Sequence, residues 1–199
     1  MLRAVLDSFR GKALYFFGSS LIFFAGCFLG WLVFWQNPTF VLDNLDKLLG
    51  NLVEIGKKLE GAGKLAAAGY IFYNNAKALL VMIFGGVVFG IIPLFNLLFN
   101  GIVVGVVLAM NLYHGQSLSF FLAGILPHGM LELPAIWAGA AFGLKTGVEL
   151  FNPKGMSRLD RLKDNLREDI LALGLLIPVL LVAALVEALV TPAVMNWFW

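Results

Sequence analysis

Long apolar runs without charged residues limit the fold of this chain more than any other feature. The first run covers residues 13–35, which is close to the ~20 residues that a helix needs to cross a bilayer. Hydrophobic residues make up 60% of the 199 positions and charged residues only 13%, so the chain lacks the polar surface of a water-soluble globule. We therefore predict an integral membrane protein, embedded in membrane lipid.

The net charge, the cysteine content and the N-terminal region argue against a nucleic-acid-binding protein, an intrachain disulfide and a cleaved signal peptide. A formal charge of +2 is too small to indicate a nucleic-acid partner. Cys27 cannot form an intrachain disulfide because it is the single cysteine. Basic residues precede the first run, as in a signal peptide, but the run has no clean small-residue cleavage site, so we expect it to remain as the first span.

Hydropathy predicts an all-α bundle of about five transmembrane helices in a single membrane domain, residues 1–199. We expect broken or kinked central spans, because Pro93 lies in the second span, and Pro127 and Pro134 lie in the fourth. The third span is short for a perpendicular helix. The predicted spans are residues 13–35, 76–98, 100–113, 118–144 and 170–195.

Two amphipathic segments are predicted outside the spans. Residues 38–72, on the outer side of the membrane, carry apolar residues at helical spacing opposite charged ones, which is typical of a helix that lies at the membrane surface or against the other spans. Residues 157–169 begin with a capping-box pattern, Ser157-x-x-Asp160, and are expected to form a solvated cytoplasmic helix that leads into the fifth span. Its apolar stripe consists of Leu159, Leu162, Leu166 and Ile170. A dedicated docking or lipid-binding element is the alternative to a solvated helix. The distribution of lysine and arginine predicts a cytoplasmic N-terminus and a C-terminus outside.

Three glycine motifs predict close packing between helices. Each places glycine at positions i and i+4, which flattens one helix face so that another backbone can approach it. They indicate a tight core made of the second, third and fourth helices, and oligomerisation through the same faces is the alternative. The motifs are Gly86 with Gly90, Gly101 with Gly105, and Gly139 with Gly143.

The stretch PHGMLELP, residues 127–134, places ionisable groups inside an apolar run. His128 and Glu132 are one helical turn apart and project from nearly the same face. Because a charged side chain at mid-bilayer costs ~2.5–3.5 kcal/mol, we predict that both face the interior of the bundle. Pro127 and Pro134 withhold backbone donors at the same depth.

Three roles are open to His128 and Glu132. They can form a structural hydrogen bond, bind zinc or another divalent metal, or relay an ion or proton. Two ligands do not complete a metal site, and the same pair from a second protomer of a homodimer is the tidiest completion. The stretch lacks the second histidine and adjacent glutamate of the zinc-protease motif. Other residues that could complete the shell are Cys27, Glu187, Asn75 and Asn100.

Three more polar residues lie in apolar surroundings. Asn75 and Asn100 are predicted to lie at helix ends, where their side chains satisfy free backbone amides. Glu187 lies within the fifth span, and it is expected either to pair with the His128 region or to lie near the outer membrane boundary.

The sequence resembles the stage II sporulation protein M family of multi-span membrane proteins. The resemblance rests on FYNN at 72–75, FNGIVVG at 99–105 and PHGMLELPAIWAGAAFGLK at 127–145, and it covers essentially the whole chain. No assigned catalytic residue is known among the family's motif positions. They fall on Phe72, Asn75, Asn100, Gly101, Pro127, His128, Gly129, Glu132, Pro134 and Ala135.

The resemblance implies a non-enzymatic membrane scaffold. The family's namesake resides in the membrane around the forespore of endospore-forming bacteria, where it recruits and anchors peptidoglycan hydrolases during engulfment. These hydrolases are a lytic transglycosylase and an amidase/endopeptidase. Related proteins also occur in bacteria and archaea that make no spores. The alternative function is an ion or small-solute transporter that uses a His128/Glu132 cavity, because broken helices with midplane ionisable groups are typical of transporters.

Overall fold

The computed structural model describes residues 2–48, 50, 63–153 and 155–198 of the chain. These residues form helices, turns and loops, and none of them lies in a β-strand. Among the described residues, five helices are long and apolar enough to cross a membrane. The predicted all-α membrane bundle with about five transmembrane helices is therefore confirmed.

The described residues contain nine helices. The long ones are α2 (Ala13–Gln36), α5 (Lys64–Gly85), α6 (Ile91–Tyr113), α7 (Leu118–Phe151) and α8 (Arg158–Leu189). The short ones are α1 (Leu2–Ser8), α3 (Pro38–Asp43), α4 (Leu45–Leu48) and α9 (Thr191–Met195). We call the two ends of the bundle the α1 end and the α9 end, after the short helices that lie there.

The second and third spans have other bounds than predicted. Spans at 76–98 and 100–113 were expected, whereas α5 ends at Gly85 and α6 begins at Ile91. The third span is consequently not short, because α6 has 23 residues. A helix of that length crosses the hydrocarbon core of a bilayer.

The turn between α5 and α6 explains the difference. Phe89 and Gly90 have φ angles of 51° and 76°, a left-handed conformation in which a helix does not continue. Pro93 lies in the first turn of α6. Backbone N–H groups in the first turn have no acceptor within the helix, so the proline costs no hydrogen bond there. It therefore begins a helix and does not kink one. Gly86 and Gly90 lie in the turn and not inside a span.

Two predicted interruptions do not end a helix. α7 is continuous over 34 residues with Pro127 and Pro134 inside it, so the proline-flanked stretch does not break the span. α8 joins the predicted cytoplasmic helix 157–169 to most of the predicted span 170–195 in one helix of 32 residues. Its N-terminus is capped as the sequence predicts, because the Ser157 hydroxyl accepts the Asp160 amide at 3.1 Å.

The predicted amphipathic segment 38–72 is divided in the structure. Its first part contains α3 and α4, and residues 64–72 belong to the transmembrane helix α5. Residues 51–62 lie outside the described residues. The Asn37 side chain accepts the Phe40 amide at 3.1 Å, which caps α3 directly after α2 ends.

Close glycine contacts join the long helices in two pairs. α2 packs against α6, where a Cβ at Gly105 would collide with the carbonyl oxygen of Cys27. A Cβ at Gly30 would likewise collide with the backbone of Ile102. α5 packs against α7, where a Cβ at Gly143 would collide with the carbonyl oxygen of Met82. These motifs therefore pack inside the chain, but the first span, which the predicted core left out, supplies one of the partners. Fully buried side chains of the core include Leu79, Met82, Ile83, Leu97, Phe142 and Leu180.

Candidate functional site

A cavity of about 230 Å³ lies between the long helices. Helices α5, α6, α7 and α8 each place at least one polar side chain in its wall, and no Lys or Arg is found among the described residues that line it. Asn74 and Asn100 are exposed, so they lie where the cavity opens. The polar lining residues are Asn74, Asn75, Asn100, His128, Glu132 and Glu187.

Three ionisable side chains converge in this cavity. One ligand-capable atom each from His128, Glu132 and Glu187 lies within 4.8 Å of the other two. The first two residues come from successive turns of α7, as helical spacing predicts. Glu187 comes from α8, and of its two expected positions the structure selects the one beside His128. All three side chains are half-buried.

Thr191 orients the imidazole of His128. The Nδ1 atom lies 3.3 Å from the Thr191 hydroxyl oxygen, and that hydroxyl donates to the carbonyl oxygen of Val186 at 3.4 Å. With its hydroxyl hydrogen directed to Val186, the Thr191 oxygen can accept a hydrogen bond from His128 in the Nδ1–H tautomer. The lone pair of Nε2 is then free for another partner.

Asn75 and Asn100 lie inside helices, so the prediction that they cap helix ends is wrong. Asn75 lies in α5 and interacts with the Glu132 carboxylate. Asn100 lies in α6 and donates to both the backbone and the side-chain oxygen of Asn96 at 2.8 Å. The error follows from the misplaced span boundaries at 76 and 100. Both amides instead line the cavity.

The other motif residues do not line the cavity. Phe72 packs on the hydrophobic core, and Gly101 admits the backbone of α2. Gly129 and Ala135 are buried, Pro127 is half-buried and Pro134 is exposed. Cys27, an alternative ligand in the sequence, does not belong to the His128 cluster.

The cavity brings two acidic side chains together. Two carboxylates this close do not both remain ionised in a low-dielectric interior unless a cation neutralises them. The Glu132 and Glu187 oxygens and the His128 nitrogen are normal ligands of divalent transition metals. The same atoms can also accept protons. The cavity therefore suits a cation or a shared proton.

A second polar cluster, which was not predicted from the sequence, lies at the α1 end. The Lys12 and Lys145 ammonium groups each lie 2.6 Å from the Glu168 carboxylate, and Lys145 also donates to Asn165 at 3.1 Å. Burial lowers the pKa of Lys12, and the hydrogen bond that its ammonium group donates to Glu168 opposes that shift. This cluster ties the segment before α2 to α7 and α8.

The first part of α8 is oriented differently from the prediction of a solvated helix. Asn165 and Asp169 are 2% and 1% exposed, whereas Leu159 and Ile170 of the apolar stripe are both 61% exposed. The polar face turns inward because the lysines of the second cluster lie there. The signal in the sequence was the one-turn spacing of Asn165 and Asp169, which places both on one face.

Comparisons with known proteins match the chain to a family and to a relative. A family model described as stage II sporulation protein M matches residues 19–192, a range that includes every residue of the cavity. An uncharacterized protein of Methanocaldococcus jannaschii is 33% identical over 132 residues, which cover 64% of this chain and 72% of that protein. No solved structure matches the chain.

Proposed function

Because this multi-pass membrane protein belongs to the stage II sporulation protein M family, we propose that it is a non-enzymatic scaffold that recruits and anchors peptidoglycan hydrolases at the cell membrane. Its partners are a lytic transglycosylase and an amidase/endopeptidase. In a spore-forming organism it acts in the membrane that engulfs the forespore. Its N-terminus lies in the cytoplasm and its C-terminus outside.

A polar stripe on the outward face of α5 supports this proposal. Tyr70 and Tyr73 are 48% and 69% exposed, and Asn74 and Lys77 are exposed as well. The four positions follow the i, i+3, i+4, i+7 spacing of one helix face. Within the described residues no helix covers this stripe. Hydrogen-bonding side chains on a membrane-facing helix promote association with another helix, so we assign the stripe to the membrane anchor of a partner.

The glycine contacts support a scaffold in a second way. They leave no room for side chains between α5 and α7 at Gly143, and between α2 and α6 at Gly30. Helices in such close contact present their outer faces in a fixed arrangement. A fixed surface is what an anchoring protein requires.

Co-purification tests the scaffold proposal. The tagged chain is expressed with the lytic transglycosylase and the amidase/endopeptidase of its own organism, solubilised in mild detergent and captured. We expect both hydrolases to co-purify with the wild type, and the amount to fall at least tenfold with the double variant Tyr73→Leu/Lys77→Leu. Lys163→Leu, the same change at an exposed lysine of α8, serves as the control and retains both partners. Absence of both hydrolases from the wild-type sample would refute the scaffold role.

The cavity favours a second candidate function, passage of an ion or small solute. His128, Glu132 and Glu187 are the kind of interior ionisable groups that mark ion pathways in membrane proteins. Reconstituted into liposomes, a transporter would show flux of protons or divalent cations that Glu132→Gln abolishes and Glu149→Gln, at the α1 end of α7, leaves intact. Equal flux in protein-containing and protein-free liposomes would exclude this candidate.

A further inference from the structure

We propose that His128, Glu132 and Glu187 bind one divalent transition-metal cation, of the class that Zn²⁺ represents, with all three protein ligands from a single chain. This inference goes beyond the scaffold role and does not depend on it. It also differs from completion across a homodimer, because Glu187 of the same chain lies beside the pair on α7.

The distances are close to those of a metal site. In a tetrahedral site with ligand bonds of ~2.0–2.2 Å, ligand atoms are ~3.3–3.6 Å apart. The three candidate atoms lie within 4.8 Å of one another. Closure by at most about 1.2–1.5 Å is needed from the 4.8 Å limit, and rotation of the glutamate side chains can supply it without movement of α7 or α8.

Charge balance favours a divalent ion over a monovalent one. Two carboxylates and a neutral imidazole carry a total charge of −2, and no Lys or Arg is found among the described residues that line the cavity. A divalent cation brings the sum to zero. A neutral site is the least costly arrangement in a membrane interior, where an uncompensated charge is strongly disfavoured.

His128 has the hydrogen-bonded surroundings that are typical of a metal-binding histidine. Metal-binding histidines almost always donate their second ring N–H to a hydrogen-bond acceptor, which fixes the ring and its tautomer. Thr191 provides this acceptor on Nδ1 at 3.3 Å, and its own hydroxyl is held by Val186. Nε2 is thereby the atom left to bind the ion.

Amide side chains line the same cavity and offer oxygen atoms that can complete the shell. Asn75 already interacts with Glu132, and Asn100 lines the same cavity from α6. The side-chain oxygen of Asn75, or a water held between the two amides, is the fourth ligand. The ion then links α7 to α8 near the α9 end, while Lys145 and Glu168 link the same two helices near the α1 end.

Zinc binding by the purified full-length chain tests this inference. The protein is stripped with a chelator in detergent, loaded with Zn²⁺ and freed of excess metal, after which zinc is counted by elemental analysis. We expect one zinc per chain in the wild type and in Glu149→Gln, and at least a tenfold loss in Glu187→Gln. Glu149 is the matched control, since it is a half-buried glutamate of α7 outside the cavity.

Two further measurements use only the wild type, so they test the site even if a variant fails to fold. Zn²⁺ should raise the wild-type unfolding temperature, because an ion that binds only the folded state stabilises it by mass action. X-ray absorption of the zinc-loaded wild type should show nitrogen and oxygen ligands without sulfur. One zinc per two chains, a sulfur ligand from Cys27, or a wild type that retains no zinc would each overturn the single-chain site.

Discussion

Glu187 determines what His128 and Glu132 can do. Alone, those two residues form a one-turn pair on α7, for which a structural hydrogen bond is the ordinary role. With Glu187 opposite them on α8, two acidic groups and an imidazole share one cavity, and their charge requires compensation. A single side chain from another helix thus changes the chemistry that the motif supports.

We expect His128→Ala to lower the free energy of unfolding by about 1–3 kcal/mol, because Thr191 and the facing carboxyl groups lose a buried polar partner. Met130→Ala is the control on the same part of α7. The Met130 side chain is 72% exposed, so its substitution should change the free energy of unfolding by no more than about 0.5 kcal/mol. Thermal unfolding in detergent compares the two variants. Equal losses would show that the imidazole makes no specific contribution.

Lys12→Met is expected to destabilise the α1 end by about 1–2 kcal/mol. A buried ion pair that loses one partner normally costs more, ~3–5 kcal/mol, but the Glu168 side chain is 38% exposed and keeps its second partner Lys145. The expected fall of the unfolding temperature is about 2–4 °C per kcal/mol. Arg10→Met, at an exposed position just before it, is the control. If both variants unfold at one temperature, the Lys12–Glu168 contact does not stabilise the fold.

The closest approach of α2 to α6 depends on glycine. A Cβ at Gly30 would meet the backbone of Ile102, and backbone cannot give way as a flexible side chain can. We expect Gly30→Ala to cost about 1–3 kcal/mol through overpacking. Gly18→Ala in the same helix is the control, since nothing lies within 4 Å of the added atom.

The same thermal assay measures both glycine variants. Gly18→Ala should be neutral or slightly stabilising, because alanine has a higher helix propensity than glycine. A Gly30→Ala protein as stable as the wild type would mean that α2 and α6 are held apart more widely than the structure shows.

The bounds of α5 and α6 show where sequence-based prediction fails. The turn residues 86–90 read GVVFG and are as apolar as the helices beside them, so hydropathy continues through the turn without a break. The helix ends there because Phe89 and Gly90 adopt positive φ. That conformation is compatible with the close packing of Gly90 against Gly147 of α7. It depends on tertiary contact and leaves no signal in composition.

Five membrane crossings would place the two termini on opposite sides of the membrane. In a Cys27→Ala background, we expect a membrane-impermeant thiol reagent to label Asn196→Cys in intact cells. Arg10→Cys should be labelled only after permeabilisation, since the distribution of basic residues predicts a cytoplasmic N-terminus. Both positions are exposed. Labelling of both variants in intact cells would contradict an odd number of spans, and the reverse pattern would contradict the predicted orientation.

The sequence by itself determined the membrane class, the helical fold, the family and the shared face of His128 and Glu132. These properties follow from hydropathy, motif residues and helical period, all of which act over a few neighbouring positions. Only the tertiary structure brought Glu187, Asn75 and Asn100 to that face and turned Asn165 and Asp169 of α8 inward. Which helices meet depends on close packing between distant segments, and that packing cannot be read from the local order of residues along the chain.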